Sequence, residues 1–167
     1  MKSPKIVYLV VFLTALSFSC SPDNIDEDII NSDREYNYVP QSKEIEIEIL
    51  ELINEHRISI DLNPLKDMSV VKAVAYTHTD YMIVTNQVSH DNYMERRNKL
   101  MNNAGAVAVG ENVGYGYPTA EGLVKAWLES DGHREVLEGD YTHFDISAEK
   151  NENGHWYYTN IFIKKLI

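Results

Sequence analysis

The chain has 167 residues, of which 26 are acidic and 15 basic, for a formal net charge of -11. With no cluster of lysine or arginine, nothing in it would displace the counterions of a phosphate backbone, which excludes nucleic acid as a partner. Hydrophobic residues make up 44% of the chain, enough for the packed core of one domain, and a single cysteine excludes an intramolecular disulfide and a multi-thiolate zinc site.

Lys2 and Lys5 precede an apolar run from Ile6 to Leu16, too short to span a bilayer but as long as a signal-peptide core. The run ends at Leu16-Ser17-Phe18-Ser19-Cys20. Small residues ahead of a lone cysteine resemble the lipobox of bacterial lipoproteins, in which the signal is removed and the cysteine acylated. The usual box has leucine three places before the cysteine; here Ser17 stands there, with Leu16 one place further back. Residues 1–19 therefore read as a signal peptide and Cys20 as a lipidation site, which places the protein in the cell envelope, at the outer membrane or cell surface. Without acylation it is secreted. Six acidic residues and one arginine lie between Ser21 and Glu35, so residues 20–42 read as a solvated acidic linker ahead of a domain over 43–167.

Glu44 to Ile49 alternates with period two, but the continuation to His56 breaks the alternation, and Ile45, Ile49, Ile53 and His56 share one helical face. That predicts a helix over about 43–58. Asp61-Leu62-Asn63-Pro64 is a loop by its turn chemistry. A second helix is expected from Ser69, read as its N-cap, with Val71, Val74, Ala75, His78, Met82 and Thr85 on one stripe. A third runs from Tyr93 to Asn103 and stops before Gly105. Ala106 to Val109 is a short β-prone stretch, followed by a glycine-rich turn around Gly114 and Gly116. Pro118-Thr119 opens a fourth helix through Leu128, capped by Thr119. After a turn at Gly132-His133-Arg134, the alternation of Phe144, Ile146 and Ala148 and the aromatic run from Trp156 to Lys164 make two strands joined by a hairpin at Asn151-Glu152-Asn153-Gly154. Helices first and an antiparallel hairpin last indicate an α+β fold.

Four segments recur in a telling order: Leu52-Ile53-Asn54-Glu55-His56-Arg57 leading to Pro64-Leu65, Ser89-His90, Gly110-Glu111-Asn112-Val113, and Trp127 through Ser130-Asp131-Gly132-His133-Arg134. Together they resemble the bacterial branch of the CAP superfamily, named for cysteine-rich secretory proteins, antigen 5 and pathogenesis-related proteins. The resemblance implies a three-layer α-β-α sandwich with a central, largely antiparallel sheet and an open cleft faced by two histidines and one or two glutamates. By motif these are His90, His133 and Glu111. The fourth position is open: relatives place a glutamate where this chain has Ser130, flanked by Glu129 and Asp131, and Glu129 is taken as the fourth member. Asp61, Asp145 and Ser147 also stand where relatives favour glycine or apolar residues.

Two neutral imidazoles and a carboxylate are enough to hold zinc or a similar divalent ion with positions left for water or a ligand. The same residues could equally form a metal-free polar cluster in which Glu111 orients an imidazole, or simply brace two loops. The leading functional reading is a lipid-anchored binding module, a monomer by default, whose cleft takes a lipid or peptide with His90 and His133 as the metal ligands. The alternatives are a metal-dependent hydrolase with Glu111 as base, acting on a protein, an ester or the cell wall, and an envelope structural protein with a vestigial cleft. His78 is expected in the core and His56, His143 and His155 at the surface. Tyr115 and Tyr117 are expected at the cleft rim.

Overall fold

A computed structural model describes residues 38–166. The signal segment, Cys20 and most of the linker lie outside the described residues. The elements in chain order are α1 (Glu44–Ser59), β1 (Lys66–Asp67), α2 (Ser69–Thr85), α3 (Tyr93–Ala104), β2 (Ala106–Tyr115), α4 (Ala120–Glu129), α5 (Asp131–Leu137), β3 (His143–Lys150) and β4 (Trp156–Lys165). The sheet has the order β1-β3-β4-β2. Only the two-residue β1 is parallel to its neighbour; β3–β4 and β4–β2 are antiparallel.

Alternation along β4 builds the three layers, because successive side chains leave a strand on opposite faces. Tyr158 and Phe162 join Ile49 and Ile53 of α1, Leu123 and Trp127 of α4, and Leu137 of α5 in one core. Ile161 and Ile163 face the other way, onto Val71, Val74 and Ala75 of α2 and Leu100 of α3. The result is the expected α-β-α sandwich.

Most helix bounds fall where periodicity puts them. Thr119 caps α4 by accepting a hydrogen bond from the Gly122 N–H. Met68 rather than Ser69 is the N-cap of α2, with its N–H held by the Asp145 carboxylate across the sheet. Two stretches differ from expectation. The turn expected around Gly114 and Gly116 begins only after Tyr115, because β2 runs on through Gly114, and the glycines within the strand admit close neighbours. A Cβ on Gly114 would lie 2.5 Å from Leu123 Cδ1, and one on Gly110 would overlap the Tyr141 ring. Gly132-His133-Arg134 is not a turn, since it forms the first half of α5.

Strand β2 lies at the sheet edge. The Gly116 N–H bonds the Trp156 carbonyl, so even-numbered residues pair with β4 and odd-numbered ones present their main-chain groups outward. Two of those outward carbonyls are taken by side chains: Tyr93 Oη donates to Val109 O at 2.6 Å and Trp127 Nε1 to Val113 O at 3.0 Å.

Candidate functional site

The site is built on this edge strand, between α3 on one face of the sheet and α5 on the other. Glu111 and Asn112 are adjacent on β2, so their side chains leave on opposite faces. Asn112 Nδ2 donates to the His133 carbonyl at 3.0 Å and ties α5 to the strand. Glu111 turns to the α3 face, where it is 7% exposed and meets Arg96 and His90.

Arg96 occupies the buried stripe of α3 with Leu100 and Ala104. Its Nε and Nη2 donate to the two oxygens of Glu111, each at 2.7 Å, and its Nη1 donates to the Asp91 carbonyl at 2.6 Å. His90 Nδ1 lies 2.9 Å from Glu111 Oε1. Burial works against ionisation of Glu111, but hydrogen bonds from His90 and Arg96 outweigh it and hold the carboxyl below its usual range. An ionised carboxylate only accepts, so Nδ1 of His90 carries the proton and, in the neutral ring, Nε2 is left as a bare acceptor. The His90 side chain is 52% exposed.

His133 is half-buried on α5. Its Nδ1 meets Ser130 Oγ at 2.8 Å, again leaving Nε2 without a protein partner in these bonds. Burial lowers its pKa, and the charge of His90 adds to the effect.

Of the residues expected here, the structure bonds His90 to Glu111, while His133 senses the charge of His90 without a hydrogen bond to either. Glu129 is not among them: it ends α4 on its solvent side and sits 3.8 Å from Lys125 with its side chain 69% exposed. The physical reason is helical phase: Trp127 faces the core, which turns Lys125 and Glu129 outward, and the chain reaches His133 only one residue later, at Ser130. Asp131 is exposed as well and pairs with Arg134 at 2.6 Å. Tyr115 packs on Tyr157 and His155 at the hairpin end of the sheet. Tyr117 offers its carbonyl to Tyr158. His78 is in the core, as expected, and His155 is exposed. His56 is more than a surface residue, since it bonds Glu138 at 3.0 Å.

Arg96 is the partner that sequence reasoning missed. Arginine at a buried position of a helical stripe was a readable signal, because such a cation needs an internal anion.

The protein donors available to a divalent cation here are few. Both Glu111 oxygens are engaged, and among the described residues no group of three or more histidine, cysteine, aspartate or glutamate side chains is arranged around a common point. What remains are two Nε2 atoms, each on a ring fixed through its Nδ1, the arrangement by which outer partners orient ligating imidazoles.

The profile of the cysteine-rich secretory protein family, CAP, matches residues 50–162. The uncharacterized membrane protein YlbC of Bacillus subtilis is 32% identical over 124 residues, 72% of this chain and 34% of that protein. The chain thus spans about a third of the length of this curated relative. Among solved structures, an outer surface protein from Borrelia burgdorferi superposes with a TM-score of 0.68 at 21% identity, covering 77% of this chain and 98% of the other. A cysteine-rich secretory protein from Staphylococcus aureus gives 0.64 at 26% identity, covering 77% and 40%. An extracellular protein containing an SCP domain from Bacillus anthracis gives 0.64 at 23%, covering 84% and 50%.

Proposed function

The chain belongs to the cysteine-rich secretory protein (CAP) family, and from that premise we propose that it is an extracytoplasmic, lipid-anchored binding module whose cleft takes its ligand at His90 and His133. The observation that carries this reading is the matched pair of rings, each anchored at Nδ1 by Glu111 or Ser130, with Nε2 kept for something outside the protein. A divalent cation, zinc first, would be held by those two nitrogens, where it would polarise an oxygen of the bound lipid or peptide. Similarity to an outer surface protein and an extracellular protein supports a place in the envelope, with Cys20 as the attachment point.

Zinc titration of the chain tests the reading. Wild type is expected to take up one equivalent, with His90→Ala and His133→Ala each weakening uptake by about a hundredfold or more. Equal affinity in all three proteins would remove the metal. Labelled fatty acid is expected on the wild type and absent from Cys20→Ser.

Hydrolysis is favoured by one contact. Ser130 Oγ, 2.8 Å from His133 Nδ1, is a hydroxyl within proton-transfer reach of an imidazole. Glu111 does not suit the role of base, because Arg96 and His90 occupy both of its oxygens. Turnover of an ester, peptide or peptidoglycan fragment that disappears in Ser130→Ala would promote this reading over binding.

A further inference from the structure

His78 projects from α2 into the protein and is 2% exposed. Its Nε2 lies 2.7 Å from the carbonyl of Ser89, the residue before His90. A carbonyl only accepts, so Nε2 carries the proton. Burial, with Arg96 adding to it, lowers the pKa of the ring, and the other nitrogen, Nδ1, is buried with no hydrogen-bond partner among the described residues. A leucine or phenylalanine on the same apolar stripe would fill the space without stranding a polar atom. The imidazole is therefore poorly explained as packing and well explained by its one bond.

That bond falls where the loop needs it. On the far side of His90, the chain is held three ways: Arg96 Nη1 donates to Asp91 O at 2.6 Å, Tyr81 Oη reaches the Asp91 carboxylate at 3.2 Å, and the Tyr93 N–H bonds the carbonyl of His90 itself at 3.1 Å. On the near side, the hydrogen bond from His78 is what holds the Ser89 carbonyl. Tyr81 stacks alongside His78, with ring centroids 5.8 Å apart, and joins the two anchors. Without His78 the near side would keep only the local bond from the Asp91 N–H to Ser89 Oγ, and the backbone that carries the His90 ring would be held less firmly.

We propose that His78 is a positioning residue for His90: it clamps the Ser89 carbonyl from inside the core and so fixes the half-exposed ring that bonds Glu111. The part of this inference that concerns ligand uptake rests on the binding reading above; the clamp itself does not.

The test compares three substitutions in the full chain. His78→Gln presents an amide nitrogen where Nε2 stood, whereas His78→Asn leaves a polar side chain too short to reach Ser89, and His78→Phe keeps only the bulk. Amide hydrogen exchange at residues 89–91 is expected to quicken about five- to tenfold in His78→Asn and His78→Phe, the effect of one lost buried hydrogen bond, and to stay near wild type in His78→Gln. Exchange at Val74 and Ala75 in the middle of α2 should be unchanged in any variant that folds. The ring ¹⁵N spectrum of His90 should show Nδ1 protonated in wild type and His78→Gln, and a mixture of tautomers in His78→Asn. Wild-type exchange at 89–91 in His78→Asn, or a His78→Gln protein that behaves like His78→Asn, would overturn the proposal. Should His78→Phe not fold, the glutamine and asparagine variants decide. Zinc affinity is the separate arm, expected to fall in step with loop exchange. A wild type that binds no zinc refutes the metal and leaves the exchange comparison to judge the clamp.

Discussion

Glu46 and Glu111 are both buried carboxylates saturated by hydrogen bonds and paired with a buried cation, yet they differ in the partner that faces outward. Glu46 takes Lys72 Nζ at 2.8 Å, the Lys43 N–H at 2.7 Å and the Ala148 N–H at 2.8 Å. Lys72 gives a second proton to the Ile146 carbonyl. The Lys43 ammonium, which is partly exposed, lies 3.7 Å from Glu46 Oε1, and the group ties the start of α1 to β3 and α2. Glu111 has the same count of strong donors, but one of them is the half-exposed ring of His90. The chemistry of the carboxylate is alike in the two places, and what distinguishes Glu111 is that its outward partner is a half-exposed imidazole where that of Glu46 is an ammonium. Asp145 sharpens the contrast. It is 5% exposed and takes hydrogen bonds only from the main-chain N–H groups of Ile146 and Met68. With no cation bonded to it, burial pushes its carboxyl up from 3.8 to about 6.

The comparison can be broken at several points. Glu46→Ala should cost the most, about 3–5 kcal/mol in urea unfolding, because it leaves Lys72 charged and buried; a loss under about 1 kcal/mol would show that Lys72 reaches water. Arg96→Leu should cost about 3 kcal/mol, since Glu111 keeps His90 as a partner, and should also loosen Asp91. Asp145 should act with the opposite sign from Glu111. Its pKa is raised on folding, so its stabilisation is complete below about pH 4 and is lost as pH rises through about 6. Wild type should therefore lose about 2–3 kcal/mol relative to Asp145→Asn between pH 4 and 7.5. Parallel stability curves for the two proteins would contradict this. Glu111, whose pKa is lowered, should support the fold above its unfolded pKa and cease to do so as pH falls through its folded one. The smallest effect is expected from His90→Ala. Stability should change by less than about 1 kcal/mol, as for an exposed pair, even as zinc uptake fails. A large loss would make His90 part of the frame.

The helices were legible where one face alone is buried, because Ile49, Ile53, Val71 and Val74 record that face at a helical period. Strand β2 was half hidden. Gly114 read as a turn residue, and only the nearness of Leu123 explains why a strand needs it. Helix α5 was hidden too, since Gly132 suggested a turn where the chain makes barely two turns of helix. Within the site, His90, Glu111 and His133 could be read because the dipeptides around them resemble a family. Glu129 was drawn from nearness in sequence and lost to helical phase. Arg96 and His78 act from inside the core, through contacts that span the loop between α2 and α3, and a linear pattern carries little trace of such pairings beyond polar residues on apolar stripes.

An open sheet edge is ordinarily where copies of a protein zip together, since its row of unpaired main-chain groups will accept another strand. Here Tyr93 and Trp127 occupy the outward carbonyls of Val109 and Val113, on either side of Glu111. A neighbouring chain therefore meets no continuous row to pair with. The edge strand of this domain is thus sealed by side chains on both sides of Glu111, and its outward main-chain acceptors are broken up where a flat edge would leave them in line.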